Sequence, residues 1–190
     1  MATIEQFKGQ MAGGGARANQ FEVIIQSPIA GLDQNKMYLC TAASLPQSQV
    51  DAVTVAFRGR EVHFPGDRRF QPWTVQFYND TDFAIRDVFE KWSNALQQYE
   101  TTNATTRPGT LAGTLQVFQL DRSGNRIKQY EFVNAFPSLV GGIELRYDAT
   151  NQIEVFQVDF VYDYFKVYDA SGGNAAQTAA SVVRNLGGNI

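Results

Sequence analysis

Between Asp82 and Tyr99, the residues Ile85, Val88, Phe89, Trp92, Leu96 and Tyr99 recur at spacings of three and four. That period predicts one amphipathic helix with a continuous apolar stripe. Arg86, Asp87, Glu90, Lys91, Asn94 and Gln97 fall on its other side. Asp80, Thr81 and Asp82 precede it as candidate caps, with charge suited to the helix N-terminus. It is the best-defined helix of the chain, and most of the rest alternates like β-strand. The stretch Phe64–Tyr99 therefore reads as a turn, a strand, a short connection and this helix, around which the other strands are arranged.

The strands follow from period-two alternation. Phe21, Val23 and Ile25 share a face against Glu22, Ile24 and Gln26. Ser27–Asn35 reads as a loop and Lys36–Ala43 as a second strand, ended by Leu45-Pro46. Val50–Phe64 reads as a long hairpin. Val53, Val55 and Phe57 point one way, and Thr54, Ala56, Arg58 and Arg60 the other. Gly59 marks its turn or a bulge. Phe70–Tyr78 follows, with Trp73, Val75 and Phe77 on one face. Further strands are expected near Thr114–Leu120, Ile127–Val133, Ile143–Tyr147 and Gln152–Phe165, with Asp121–Asn125 as a hairpin turn. Both faces of Gln152–Phe165 are largely apolar, which implies cover on both sides. The expected core is Trp73, Phe77, Ile85, Phe89, Trp92, Leu96 and Phe160, in a mainly β fold with one flanking amphipathic helix.

Composition changes at both ends. Residues 1–16 read as an N-terminal arm, with Thr3 capping a short helix that carries Ile4, Phe7 and Met11. Gly13, Gly14 and Gly15 form a joint behind it. Such an arm needs a surface to cover, its own or a neighbour's. Residues 17–168 form the β domain. Residues 169–190 are a tail that holds, at most, a weak helix over Asn174–Leu186. The Thr-rich segment Glu100–Gly113 is a long loop.

Catalytic chemistry is not encoded in any familiar pattern. The one histidine, His63, is expected at a strand end; as a catalytic base it would need a nucleophile or a carboxylate placed beside it. The one cysteine, Cys40, cannot form an intrachain disulfide and reads as a small core residue. Asp80-Thr81-Asp82 lacks the glycine and later glutamate of a calcium loop. No nucleophile-elbow, zincin or phosphate-loop pattern occurs. No cofactor, metal or enzymatic activity is expected. There is neither an apolar run of membrane-spanning length nor a signal-peptide core, so synthesis in a cytoplasm is expected. A net charge of −3 argues against tight nucleic-acid binding.

Charge placement says more. Arg58, Arg60, Arg68 and Arg69 outnumber Glu61 and Asp67. Glu144, Asp148, Glu154, Asp159, Asp163 and Asp169 outnumber Arg146 and Lys166. These are either two solvated faces or complementary patches that set the register between identical subunits. On the second reading Arg58, Arg60, Glu61, Arg68, Arg69, Asp159 and Asp163 form a subunit interface.

Several of these residues also carry a resemblance. Phe64-Pro65-Gly66-Asp67-Arg68-Arg69-Phe70 is followed by Trp73-Thr74-Val75, by Asn79-Asp80, and by a helix bearing Arg86, Phe89 and Trp92. With Arg17, Asn19, Phe21, Val23, Ala43–Pro46 and the run Asn151–Tyr164, this order resembles the tail tube proteins of contractile-tailed bacteriophages. Phage-like bacteriocins and type VI secretion tubes share that architecture. The two ends and the Thr-rich loop depart from the family's compact core.

The resemblance implies a β-sandwich or half-barrel flanked by one helix. Its strands would join those of five other copies in a β-barrel around a channel. Homohexameric rings would stack into the inner tube of the virion tail, inside a contractile sheath, and bridge baseplate and tail-terminator proteins. Assembly would take place in the host cytoplasm. On contraction DNA would pass down the tube without specific binding. Six copies at −3 each give −18 per ring, suited to an acidic lumen that repels phosphate. A baseplate or terminator homologue that caps the tube is the alternative within this fold. A β-sandwich ligand- or carbohydrate-binding module is the alternative outside it.

Overall fold

In the computed structural model, which describes residues 3–11, 14–29, 34–100 and 108–169, alternation becomes antiparallel sheet. Strand β1 spans Phe21–Gln26 and β2 Cys40–Ala43. Ser48–Phe57 forms β3, Arg60–Phe70 β4 and Trp73–Tyr78 β5. Gly113–Leu120 is β6, Arg126–Val140 β7, Val155–Val161 β8 and Tyr164–Asp169 β9. Two helices accompany them, α1 at Ile4–Gln10 and α2 at Ala84–Leu96. A seven-stranded sheet runs β1-β6-β7-β8-β5-β2, with β9 also on β7; β3 and β4 form a separate two-stranded ribbon.

The bend that turns one sheet into a half-barrel lies in β7. Asn134 adopts a left-handed conformation at φ 56°. Before it, β7 pairs with β6 and β9; after it, with β8, while β6 reaches just past it to Ala135. The two inner faces then meet, and the Trp73 ring stacks on Phe132 at 4.4 Å. The sheet does not close within one chain. It ends at β1, β2 and β9, each hydrogen-bonded to a single described strand.

Helix α2 covers the inner face. Its Ile85, Val88, Phe89 and Trp92 are buried, and Phe89 packs on Phe77 and Phe160 at 5.5 and 5.8 Å. Of the expected core, Trp73, Phe77, Ile85, Phe89, Trp92 and Phe160 are buried, and Leu96 packs half-buried against them. The indole N–H of Trp92 donates to the Leu111 carbonyl at 2.8 Å, and that of Trp73 to the Ser44 carbonyl at 2.6 Å. Both large rings therefore enter the core without an orphaned polar atom. Gly113 is required by this packing, since a Cβ there would lie 2.6 Å from the Trp92 ring and 2.5 Å from the Gln26 carbonyl.

Several expectations are corrected. Phe64–Phe70 is not a turn but the second half of β4, continuous past Pro65, which sits in an edge ribbon where no ladder bond is broken at a central strand. Helix α2 starts later than Asp82, because Phe83 turns left-handed at φ 53°. The N-cap position is Phe83, which makes no side-chain cap bond; Asp80, upstream of it, accepts at Oδ1 from the Ala84 amide at 2.9 Å. Helix α2 also ends at Leu96, leaving Tyr99 exposed beyond the stripe. The second strand is only Cys40–Ala43, and Gln34–Leu39 coils as a 3-10 helix that buries Met37. Ile143–Tyr147 forms no strand.

Gln152–Phe165 divides into β8 and β9 at Tyr162-Asp163, opposite the β7 bend. Its second face is not covered, and Ile153, Val155 and Val161 are exposed. The expected arm helix is present, closed by a capping box in which Thr3 Oγ1 accepts from the Gln6 amide and Gln6 Oε1 from the Thr3 amide. Most of the Thr-rich loop and the tail from Ala170 lie outside the described residues.

Candidate assembly surfaces

The β3–β4 ribbon turns on two residues, Arg58 at φ 48° and Gly59 at φ 79°. Both are positive, as the tight turns that match strand twist require. The turn fixes the register. Phe57 faces Arg60, Val55 faces Val62, and Val53 faces Phe64. Opposed residues share a face. One face of the ribbon is thus Val53, Val55, Phe57, Val62 and Phe64, all between 40 and 62 % exposed. The other is Ala52, Thr54, Ala56, Glu61, His63 and Pro65. Alternation along the sequence identified Val53, Val55 and Phe57 but missed Val62 and Phe64 as their partners and set Arg60 on the opposite face, whereas it lies across from Phe57 on the same one; the Arg58-Gly59 turn was the signal that sets this pairing.

His63 lies in mid-ribbon rather than at a strand end, and its Nδ1 shares a hydrogen bond with Thr54 Oγ1 across the strands at 3.1 Å. Near the ribbon base the register shifts beside Asp51. Gly66 allows this, since a Cβ there would stand 3.0 Å from the Asp51 carbonyl.

The basic residues separate into two groups. Arg58 and Arg60 sit at the exposed tip, Arg58 over the Phe57 ring at 5.3 Å. Arg68 and Arg69 lie at the base and have partners in the chain. Arg68 donates to Ser48 Oγ at 3.2 Å, and Arg69 pairs with Asp51 at 2.7 Å. Glu61 is exposed on the ribbon's polar face.

The acids lie on the β8 side of the sheet. Asp159 points outward between the buried Val158 and Phe160, and its Oδ1 accepts from Thr74 Oγ1 at 2.7 Å and Gln157 Nε2 at 2.8 Å. Asp163 accepts from Asn134 Nδ2 at 2.7 Å. Both carboxylates are oriented by neutral donors, and among the described residues neither forms an ion pair. No ion pair between described residues joins the basic group to this acidic one, so the two sets remain separate within one chain.

Cys40 lies half-buried on the edge strand β2, and burial pushes its thiol up to about 12. It is therefore protonated and unreactive at neutral pH. Among the described residues no group of three or more His, Cys, Asp or Glu could hold a metal ion. None of their helices is long and apolar enough to cross a membrane. The features that distinguish this surface are sheet edges at β1, β2 and β9, each with one described neighbour, and a projecting ribbon with an exposed apolar face.

Residues 16–168 match the family of phage tail tube proteins. The chain belongs to that family. Tail tube protein gp19 of Enterobacteria phage T4 is 32% identical to it over 154 residues, covering 80% of this chain and 91% of gp19. Among solved structures, a chain of the anti-feeding prophage baseplate superposes with a TM-score of 0.62 at 10% identity, covering 82% of this chain and 97% of that one. A chain of the sheath–tube complex of an extracellular contractile injection system gives 0.55 at 12% identity, with coverages of 89% and 99%. At such identities these structures establish the fold, a sheet-rich tube-protein fold left open in the single chain. Tail tube proteins are structural proteins of phage tails and not enzymes, and the same holds for this member.

Proposed function

We propose that this tail tube protein forms hexameric rings that stack into the inner tube of a contractile phage tail, enclosing a channel for DNA delivery when the sheath contracts. The observation that carries the reading is the open sheet. Its terminal strands β1 and β2 each have one described neighbour, and a strand edge left so is a template for pairing with another chain. A ring of copies pairs such edges between neighbouring subunits. The outward face of β8, with Val155 and Val161 exposed, gains in the same assembly the cover that its apolar residues call for.

The β3–β4 ribbon supplies contacts between subunits and between rings. Its tip residues Arg58 and Arg60, with Glu61, Arg68 and Arg69 behind them, meet the strip carrying Asp159 and Asp163 on a neighbouring copy. Such a contact is heterologous, one patch against a different one, and propagates into a ring or filament. The sheath, baseplate and tail-terminator proteins are the partners of the finished tube, and the assembled product resides in the virion tail after assembly in the host cytoplasm. An acidic channel wall repels DNA phosphate and leaves the genome free to slide; a basic wall in an assembled structure overturns that placement.

The likeness to a chain from a baseplate favours one second reading, a tube homologue that starts or caps the tube rather than extending it. Sedimentation and negative-stain imaging of the concentrated protein separate the two. Long tubes of stacked rings support the tube role. Single rings or short stacks that never elongate support the capping role, and a monomer at all concentrations refutes both.

A further inference from the structure

Two exposed apolar surfaces have no partner among the described residues, and they fit each other. The first is the ribbon face Val53, Val55, Phe57, Val62 and Phe64. The second is the stripe formed by Ile4 and Phe7 of α1 with Met11 at its C-cap, between 45 and 68 % exposed. Neither covers the other within the chain, since both remain open to solvent. Each is marginal alone. An isolated two-stranded hairpin is barely stable in water, and so is a helix of seven residues.

From this we infer that α1 of one subunit lies on the apolar face of the β3–β4 ribbon of another. The inference rests on the ribbon being a contact between subunits, and it names what the ribbon touches.

The dimensions agree. Ile4 to Met11 spans about 10 Å at the helical rise of 1.5 Å per residue. Val53 to Phe57 spans about 14 Å at the strand rise of 3.4 Å. A two-stranded ribbon is about 5 Å between strand axes, so one helix covers its width. The capping box at Thr3 and Gln6 fixes the helix before it docks, which lowers the ordering cost on binding.

Charge fixes the direction. The ribbon face carries one cation, Arg60, opposite Phe57 at its tip. The acid of α1 is Glu5, in its first turn. Laying Ile4 near Phe57 and Met11 near Val53 brings Glu5 to Arg60. Each copy then offers one helix and one ribbon, so every copy gives and receives a single contact. That stoichiometry propagates through an assembly without leaving a surplus surface.

The test uses the full chain with Cys40→Ser, Phe7→Cys and Val55→Cys, prepared with two different affinity tags and mixed before assembly. Mild oxidation of the assembled material is expected to give a disulfide between chains of different tag. Phe7→Asp is expected to reduce assembly at least tenfold while the circular dichroism of the monomer is unchanged. Glu5→Arg and Arg60→Glu are each expected to weaken assembly, and the double variant to assemble better than Arg60→Glu alone, the Arg58 contact with the acidic strip being left in place.

A disulfide formed within single chains overturns the inference. So does its absence in well-formed assemblies when removal of the ribbon still prevents them, in which case the ribbon is an interface with some other occupant. If the unaltered chain does not assemble at all, the tube reading fails and the inference fails with it.

Discussion

Asn134 Nδ2 donates to Asp163 Oδ2 at 2.7 Å, and the two residues sit where neighbouring strands bend together. Asn134 is the left-handed residue at which β7 changes partners, and Asp163 lies in the break between β8 and β9. The Asp163 amide also donates to the Val133 carbonyl, at 3.1 Å. The corner of the half-barrel is thus held by one side-chain pair and one backbone bond. Asparagine tolerates a left-handed conformation because its short amide finds local partners, whereas a β-branched residue does not.

Replacing Asn134 tests that corner. Asn134→Gly keeps the conformation and loses the side-chain bond, an expected cost of about 1 kcal/mol. Asn134→Val adds backbone strain, and about 2–4 kcal/mol is expected in total. Urea unfolding of the unassembled chain measures both. Equal losses for the two variants would mean that the left-handed conformation is not what the site requires.

Trp92 tests the helix–sheet packing. It is fully buried, its N–H is bonded to Leu111, and Gly113 leaves room for its ring. Trp92→Ala is expected to destabilise the fold by about 3–5 kcal/mol. Gly113→Ala is expected to cost more than 1 kcal/mol because it forces the ring to shift. Tyr99→Ala, beyond the end of α2 and exposed, is expected to cost well under 1 kcal/mol by the same measurement.

The ribbon arginines divide by position. Arg58→Glu with Arg60→Glu is expected to prevent assembly and leave the monomer's thermal unfolding unchanged, since neither forms an ion pair among the described residues. Arg69→Glu has a second effect, because it sets two carboxylates together at Asp51. That exposed pair is worth only about 0–1 kcal/mol, so a small loss of stability is expected there. Normal tubes from the Arg58 and Arg60 double variant would remove charge pairing from the account of the interface.

Acid acts on the hairpin between β6 and β7. The Asp121 carboxylate accepts from the Asn125 side chain and from the Asn125 and Ser123 amides, which hold it below its ordinary value of 3.8. A depressed carboxylate stabilises the fold above its unfolded value, and that contribution is lost as pH falls through the folded one. Stability is therefore expected to fall below about pH 4, and Asp121→Asn to flatten that part of the profile. The pH dependence of the unfolding midpoint is the measurement.

Much of this was legible in residue order. The stripe from Ile85 to Leu96 announced α2, Trp73-Val75-Phe77 announced the inner face of β5, and Asp121–Asn125 announced its hairpin. These depend on local period and turn chemistry. What escaped depends on partners distant in sequence. Phe64–Phe70 looks like a turn because Pro65 and Gly66 stand in it, yet edge pairing with Ser48–Phe57 tolerates both. Gln152–Phe165 looks like one strand, because nothing in its alternation reports the bend at Asn134 across the sheet. Which strands end the sheet depends on the order of strands, which alternation does not carry. The proposed interface was legible only as charge excess, and the ribbon's apolar face emerged once its register was known.

The most direct test of the account compares end-on and side views, by electron microscopy, of the full chain and of a variant in which residues 52–65 are replaced by a two-residue Asn-Gly turn. The account predicts long tubes with sixfold end-on views from the full chain and a folded, soluble monomer from the variant. A full chain that stays monomeric when concentrated, or a variant that still forms tubes, would contradict it.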